Sequence, residues 1–210
     1  RGEVNPARTA RESLLWASLF ANDEIRLTSR LRLSLGVKFE HNDYTGWEFQ
    51  PSVRSALDTG ALGFVWASVS RAVRTPSRAY MSTEARRQID GTGPAGMNIV
   101  GSFHAPEDLV SETMIAYEAG WLRSLGPRAA LDVAAFVQRY DDLVYMRVRE
   151  PQITGTDGGV PYLWIPSEIV SGAEMTARGV EAVLEVKPGD RVRLTASYTA
   201  LDLSVDGYDT

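Results

Sequence analysis

The connections in this chain alternate between short and long, and that rhythm limits its fold more than any motif does. Strand-like runs are predicted over 12–21 (continuing weakly to 27), 31–40, 47–57, 63–74, 109–122, 128–148, 174–186 and 191–201. The second run is the cleanest: Leu31, Leu33, Leu35, Val37 and Phe39 share one face, and Arg32, Ser34, Gly36, Lys38 and Glu40 the other. A two-residue period is that of a strand with two unlike faces, not of a helix. Tight turns are expected at Thr28-Ser29-Arg30, Asp58-Thr59-Gly60, Ser124-Leu125-Gly126-Pro127 and Lys187-Pro188-Gly189-Asp190, where Gly and Pro suit turn geometry. His41 to Gly46 reads as a further turn. Residues 75–108 and 149–172 lack the alternation, are punctuated by Gly and Pro, and are predicted to be long loops; a short helix fits 84–89.

All the tightest turns fall at one end of the predicted sheet and both long loops at the other. A transmembrane β-barrel has that asymmetry, with short periplasmic turns and long extracellular loops. Several runs exceed ten residues. A tilted strand needs about 9–11 residues to cross the hydrocarbon, whereas soluble strands usually have about 5–6. Trp66 and Trp121 near the turn end, and Phe39, Trp47, Tyr140 and Tyr145 near the loop end, suit two interfacial aromatic bands. Pro51 interrupts its run, and a bulge is expected there.

The fold class is therefore all-β: an antiparallel up-and-down meander of about eight long strands in a transmembrane barrel. Composition allows this. No run of 18 apolar residues marks a membrane helix, and barrel strands keep their mean hydropathy modest because they alternate. The net charge of −5 argues against nucleic acid as a partner. Cysteine is absent, so there is no disulfide framework or thiolate metal site. Arg1-Gly2-Glu3-Val4 is not a signal peptide, and the mature start is expected upstream.

The segment Ser70-Arg71-Ala72-Val73-Arg74-Thr75-Pro76-Ser77 resembles the strand-to-loop junction of TonB-dependent outer-membrane receptors. Other stretches agree in order. Residues 19–25 resemble the family's F-x-x-D-E-I strand, residues 35–46 its LG-x-R-x-E-x-N-D-Y-T-G hairpin, and Gln50-Pro51-Ser52-Val53-Arg54 its Q-P-S-x-R. Residues 112–120 resemble E-x-x-x-x-Y-E-x-G, and Gly179-Val180-Glu181 resembles G-V-E. The resemblance covers nearly the whole chain. It implies an importer in the cell outer membrane, with a barrel of about twenty-two strands around an N-terminal plug. It also implies a scarce nutrient such as a ferric siderophore as cargo, and an inner-membrane TonB complex that supplies energy through the plug. Residues 1–210 show neither the plug nor the energy-coupling box, so they are expected to be an internal piece of the barrel, contributing wall and extracellular loops.

The resemblance nominates the two long loops for ligand contact. Within them Tyr80, Arg86, Arg87, Tyr162 and Trp164 are the candidates, because stacking and cationic groups suit aromatic or anionic chelates. The arginines of 75–108 are balanced by Glu84, Asp90, Glu107 and Asp108, so this loop exerts no strong pull on anions. Ser70, Arg71, Arg74, Thr75 and Pro76 form the strand-end motif; its arginines are either ordinary rim residues or contacts to an anionic ligand or the plug. Arg178 shares a face with Val180 and Ala182 and is expected to snorkel to the outer interface.

Nothing points to catalysis. His41 and His104 lie in a turn and a loop, and no phosphate loop, metal-ligand spacing or nucleophile elbow is present. Asp141, Asp142 and Asp157 read as solvated loop acids, and no cofactor or metal is expected. The rival readings are a small closed eight-stranded outer-membrane barrel with a structural or adhesive role, and a soluble carbohydrate-binding β-sandwich. The closed barrel would pair its first strand with its last.

Overall fold

A computed structural model describes residues 4–5, 13–82, 84–104, 108–157 and 160–207. Twelve strands lie in one sheet. They are β1 (Val4–Asn5), β2 (Trp16–Arg26), β3 (Leu31–Asn42), β4 (Gly46–Asp58), β5 (Phe64–Arg74), β6 (Glu84–Thr92), β7 (Asn98–His104), β8 (Glu112–Ser124), β9 (Ala129–Val148), β10 (Gln152–Asp157), β11 (Val160–Gly189) and β12 (Val192–Asp206). One helical turn, α1 (Arg78–Ser82), follows β5.

The eight long strands β2, β3, β4, β5, β8, β9, β11 and β12 pair antiparallel with their sequential neighbours. This is the expected meander, here called the wall. β2 pairs only with β3 and β12 only with β11 among the described residues, so the wall is an open sheet and the small closed barrel is ruled out.

Register fixes the faces. One row runs Arg54–Ser68–Glu118–Phe136–Gly179 across β4, β5, β8, β9 and β11, and the row beside it runs Val53–Val69–Tyr117–Val137–Arg178. Directly opposed residues share a face and neighbours along a strand do not. Arg32, Lys38, Glu48, Glu112, Glu118, Asp132, Glu181 and Glu185 thus all occupy the charged face, called inward. Leu33, Val53, Val69, Val133 and Val180 occupy the apolar face, called outward.

The turns use local chemistry. Thr28 Oγ1 accepts from the N–H groups of Arg30 (3.2 Å) and Leu31 (3.0 Å). Thr59 Oγ1 donates to Gly63 O at 2.6 Å, and Gly63 has φ +93°. At the loop end, buried Asn42 accepts from the N–H groups of Tyr44 (3.0 Å) and Thr45 (2.8 Å), so its short polar side chain closes the β3–β4 turn.

Several expectations need correction. The bulge at Pro51 is absent: Pro51 pairs with Val37 in an unbroken β3–β4 ladder. The β4–β5 ladder ends one residue away, at Ser52–Ser70, so the wall needs no N–H from the proline toward β5. Trp66 and Tyr140 are inward, opposite Gly120 and Met114, and do not belong to an outward aromatic band. Trp121, Phe39 and Trp47 are outward. Arg178 does not snorkel; it meets Asp202 directly across the β11–β12 ladder, Nε to Oδ2 at 2.8 Å.

The two long loops are also more regular than their sequence indicates. Residues 84–89 are strand, not helix, because β6 and β7 form a hairpin. β7 in turn lies parallel to the start of β11, from Tyr162–Asn98 to Glu168–His104. β10 pairs with β11 through Gln152–Trp164, Ile153–Leu163 and Thr154–Tyr162. Strands β6, β7, β10 and the first part of β11 thus make a second tier, the loop-side layer, continuous with the wall through β11. The join is marked by shifts in the β9–β11 register at Ser171–Ala173 and Ala173–Met175, with Asp142 at φ +58° and Gly172 at φ +128°. Paired extra residues of this kind bend a ladder.

Candidate functional site

Three groups of side chains stand out, one on each part of the fold. The first lies on the inward face of the wall. Gly120 leaves no Cβ beneath Trp66, and a Cβ there would collide with the indole. The ring therefore lies flat on the sheet, and Arg54 stacks over it with Cζ 4.5 Å from the ring centroid. Ser68 Oγ donates to Glu118 Oε2 at 3.0 Å on the same row. Gly179 and Phe136 repeat the device, a Cβ at Gly179 falling 2.8 Å from Phe136 Cζ. The inward face is charged but held close to the backbone.

The second group is at the strand-end motif. Arg71 and Arg74 are three residues apart on a strand and so lie on opposite faces. Arg71 points outward, and its Nη1 donates to Phe49 O, where the β4–β5 ladder has already ended. Arg74 is inward and forms a two-point ion pair with Glu112, Nε to Oε2 at 2.7 Å and Nη2 to Oε1 at 3.2 Å. Glu112 is buried and also accepts from Val144 N at 2.9 Å. Pro76 is buried just beyond the strand. The motif thus ties β5 to its neighbours at the loop-side rim.

The third group is in the loop-side layer. Trp164 Nε1 donates to Ser102 Oγ at 2.7 Å, a bond that couples β11 to β7. Arg86 lies across the β6–β7 ladder from Ser102, and Arg87 from Gly101; the side chains of both lie outside what is described. Tyr162 is one pair removed from Trp164 on the same face of β11. Four of the five loop candidates therefore fall on two strands of one layer, β6 and β11, joined through β7, and Tyr80 is carried by α1 outside it.

A residue that sequence reasoning passed over sits in that layer. Glu168 accepts from Arg147 Nε (2.8 Å) and Arg149 Nε (2.8 Å). The hydrogen bond from Arg149 is the main reason its carboxyl titrates below the ordinary range, with Arg147 adding to the effect and partial burial opposing it. No signal in the sequence pairs Glu168 with arginines about twenty residues earlier. Among the described residues no group of three or more His, Cys, Asp or Glu is placed to hold a metal.

A family model described as TonB dependent receptor-like, beta-barrel matches residues 3–210. The chain belongs to the TonB-dependent receptor β-barrel family. It is 30% identical over 193 residues to the iron-regulated outer membrane virulence protein of Vibrio cholerae, covering 92% of this chain and 28% of that protein. The siderophore receptor PirA from Pseudomonas aeruginosa superposes with a TM-score of 0.73 at 17% identity, covering 95% of this chain and 36% of that one. The ferric enterobactin receptor PfeA in complex with BCV-L6 superposes at 0.74 with 18% identity, covering 92% and 28%. The chain thus spans about a third or less of these relatives. The wall is part of a barrel in the cell outer membrane, with its outward face toward lipid, and the family is one of transport receptors rather than enzymes.

Proposed function

We propose that residues 1–210 supply barrel wall and extracellular loops to an outer-membrane receptor that actively imports a ferric siderophore. The plug and the remaining strands belong to the rest of that receptor, and the TonB complex energises it through the plug. The observation that carries this reading is the loop-side layer. It continues the wall through β11 and carries Arg86 and Arg87 on β6 and Tyr162 and Trp164 on β11, with β7 paired between the two strands. Aromatic and guanidinium groups suit an anionic, aromatic iron chelate, and family members of this fold carry siderophore-receptor names. The strand-end motif Ser70, Arg71, Arg74, Thr75 and Pro76 serves to hold the rim on which the layer stands.

The test is uptake of radioactive iron by the full-length receptor in a Gram-negative host stripped of its own siderophore receptors. Catecholate and hydroxamate ferric complexes are offered in turn. At least one should be accumulated, and accumulation should stop when TonB is deleted. Trp164→Ala and the pair Arg86→Ala/Arg87→Ala should weaken binding tenfold or more at unchanged receptor level. Import of neither complex, or import indifferent to TonB, overturns the proposal.

A further inference from the structure

Across β5, β8 and β9 the outward face is apolar from the Val65–Trp121–Val133 row to the Val69–Tyr117–Val137 row, and two arginines interrupt it in the next row toward the loops. Arg71 is paired with Ile115 across β5 and β8, and Ile115 with Arg139 across β8 and β9, so all three share one outward row. With neighbouring strands about 4.8 Å apart, the two arginines stand roughly 10 Å apart on either side of Ile115. The adjacent row toward the turn end is Val69, Tyr117 and Val137. The adjacent row toward the loops is Val73, Thr113 and Asp141.

These two cations differ from the two other outward arginines of the wall, of which Arg123 lies at the turn end with its Cζ 5.9 Å from the centroid of the Trp121 ring. Arg178 carries its own counter-charge, Asp202. Arg71 spends one N–H on Phe49 O. Arg139 is exposed and makes no hydrogen bond or ion pair among the described residues, although Asp141 stands two residues along the same face. An outward arginine costs about 2–4 kcal/mol at the bilayer midplane and about 0–1 near the interface. Two of them on one row, above an apolar surface, fit the zone where lipid headgroups meet acyl chains. A guanidinium matches a phosphate with two parallel hydrogen bonds.

We propose that Arg71 and Arg139 form a binding site for the phosphate group of a phosphorylated glycolipid of the outer leaflet. The acyl chains lie along Val69, Ile115, Tyr117 and Val137. Asp141 repels a small free anion, so the phosphate is held only when apolar contact adds to the charge. The occupant is thus a lipid and not inorganic phosphate.

The experiment uses the full-length receptor, purified in detergent, stripped of lipid and presented with bis-phosphorylated lipid A, dephosphorylated lipid A or inorganic phosphate in native mass spectrometry. The wild type should retain the phosphorylated lipid and neither of the others. Arg71→Gln/Arg139→Gln should reduce retention tenfold or more, and Arg71→Lys/Arg139→Lys should keep most of it. Should the double variant fail to fold, Arg139→Gln alone removes no described hydrogen bond and should lower retention at least threefold. Equal retention by wild type and glutamine variants, or equal retention of dephosphorylated lipid, overturns the site. Binding of inorganic phosphate that depends on the same arginines overturns its assignment to lipid.

Discussion

Glu112 offers the sharpest test of how the rim is held. The β8–β9 ladder ends at Thr113–Asp141, and Asp142 then turns into the left-handed region. Two residues on, Val144 N–H has no strand partner on the β8 side, and Glu112 Oε1 takes it at 2.9 Å. Glu112→Ala removes a charge-assisted hydrogen bond to a backbone donor, worth about 1.5–3 kcal/mol. It also frees Arg74, whose side chain is 70% exposed, so that loss adds under about 1 kcal/mol. A local cost of about 2–3 kcal/mol corresponds to roughly 30- to 150-fold faster opening. Hydrogen–deuterium exchange of the peptide spanning Val144 in the full-length receptor reads this directly. Glu112→Gln keeps an acceptor for Val144 and should speed exchange about tenfold or less. Exchange in Glu112→Ala within about threefold of wild type would refute the reasoning. Equal effects of Ala and Gln would show that charge, not the acceptor, holds the bend.

Other substitutions probe the remaining groups. Gly120→Val should drive Trp66 off the inward face and cost about 1–3 kcal/mol by overpacking. Adding Trp66→Leu should restore much of the lost thermal stability, and no restoration would mean that the indole is not the obstacle. The lowered pKa of Glu168 means that its ion pairs stabilise the loop-side layer fully above the unfolded value of about 4.5 and lose that effect as pH falls through the folded value. Exchange protection across β10 and the start of β11, corrected for intrinsic rates, should drop over that acid range in wild type. Glu168→Gln should flatten the profile, and an unchanged profile would sink the assignment. A double-mutant cycle on Arg178→Gln and Asp202→Asn should give a coupling above the 0.2–1 kcal/mol typical of water-exposed pairs, because this pair faces lipid; a smaller value would place it in water.

The wall was legible because each of its strands alternates. Leu31 to Glu40 declares both its conformation and its two faces, and the turns around Gly60 and Gly126 declare where strands end. The same alternation places Arg71 and Arg74 on opposite faces, so their different partners follow from parity. The loop-side layer was not legible for a physical reason. Glu84, Ala85, Arg86, Arg87 and Gln88 are all good helix formers, yet they pair with β7, and long-range pairing overrides local preference. The parallel match of β7 to β11 joins segments some sixty residues apart, with no turn between them to announce it. Of the candidate site, the aromatic and arginine residues were visible by type. Their partners, Ser102 for Trp164 and Arg149 for Glu168, were hidden because a hydrogen bond between distant residues leaves no periodic mark. Pro51 shows the opposite case: a residue that looks disruptive in one strand is harmless where its neighbouring strand has already parted.

The distribution of buried side chains explains why the two tiers obey different rules. Among the described residues the buried aliphatic side chains larger than alanine are Val100, Leu109 and Ile169, and all three belong to the loop-side region. In the wall, Ala116 and Ala177 are buried while Val53, Val69, Val180 and Leu194 remain exposed. Their apolar surface is matched by lipid, which makes no demand on shape. The wall's specificity therefore rests on its ladder, where every backbone group must find a partner because hydrocarbon offers none. The loop-side layer covers apolar groups of its own, with packed side chains, a Trp164–Ser102 bond and the Glu168 ion pairs to keep one arrangement. Sequence change on the outward face of the wall is constrained mainly by polarity, whereas the inward face at Gly120 and Gly179 and the loop-side layer are constrained by shape as well. β6 and β11, the strands that carry four of the five ligand candidates, are tied to each other through β7, so change at those positions has to respect the packing of all three strands.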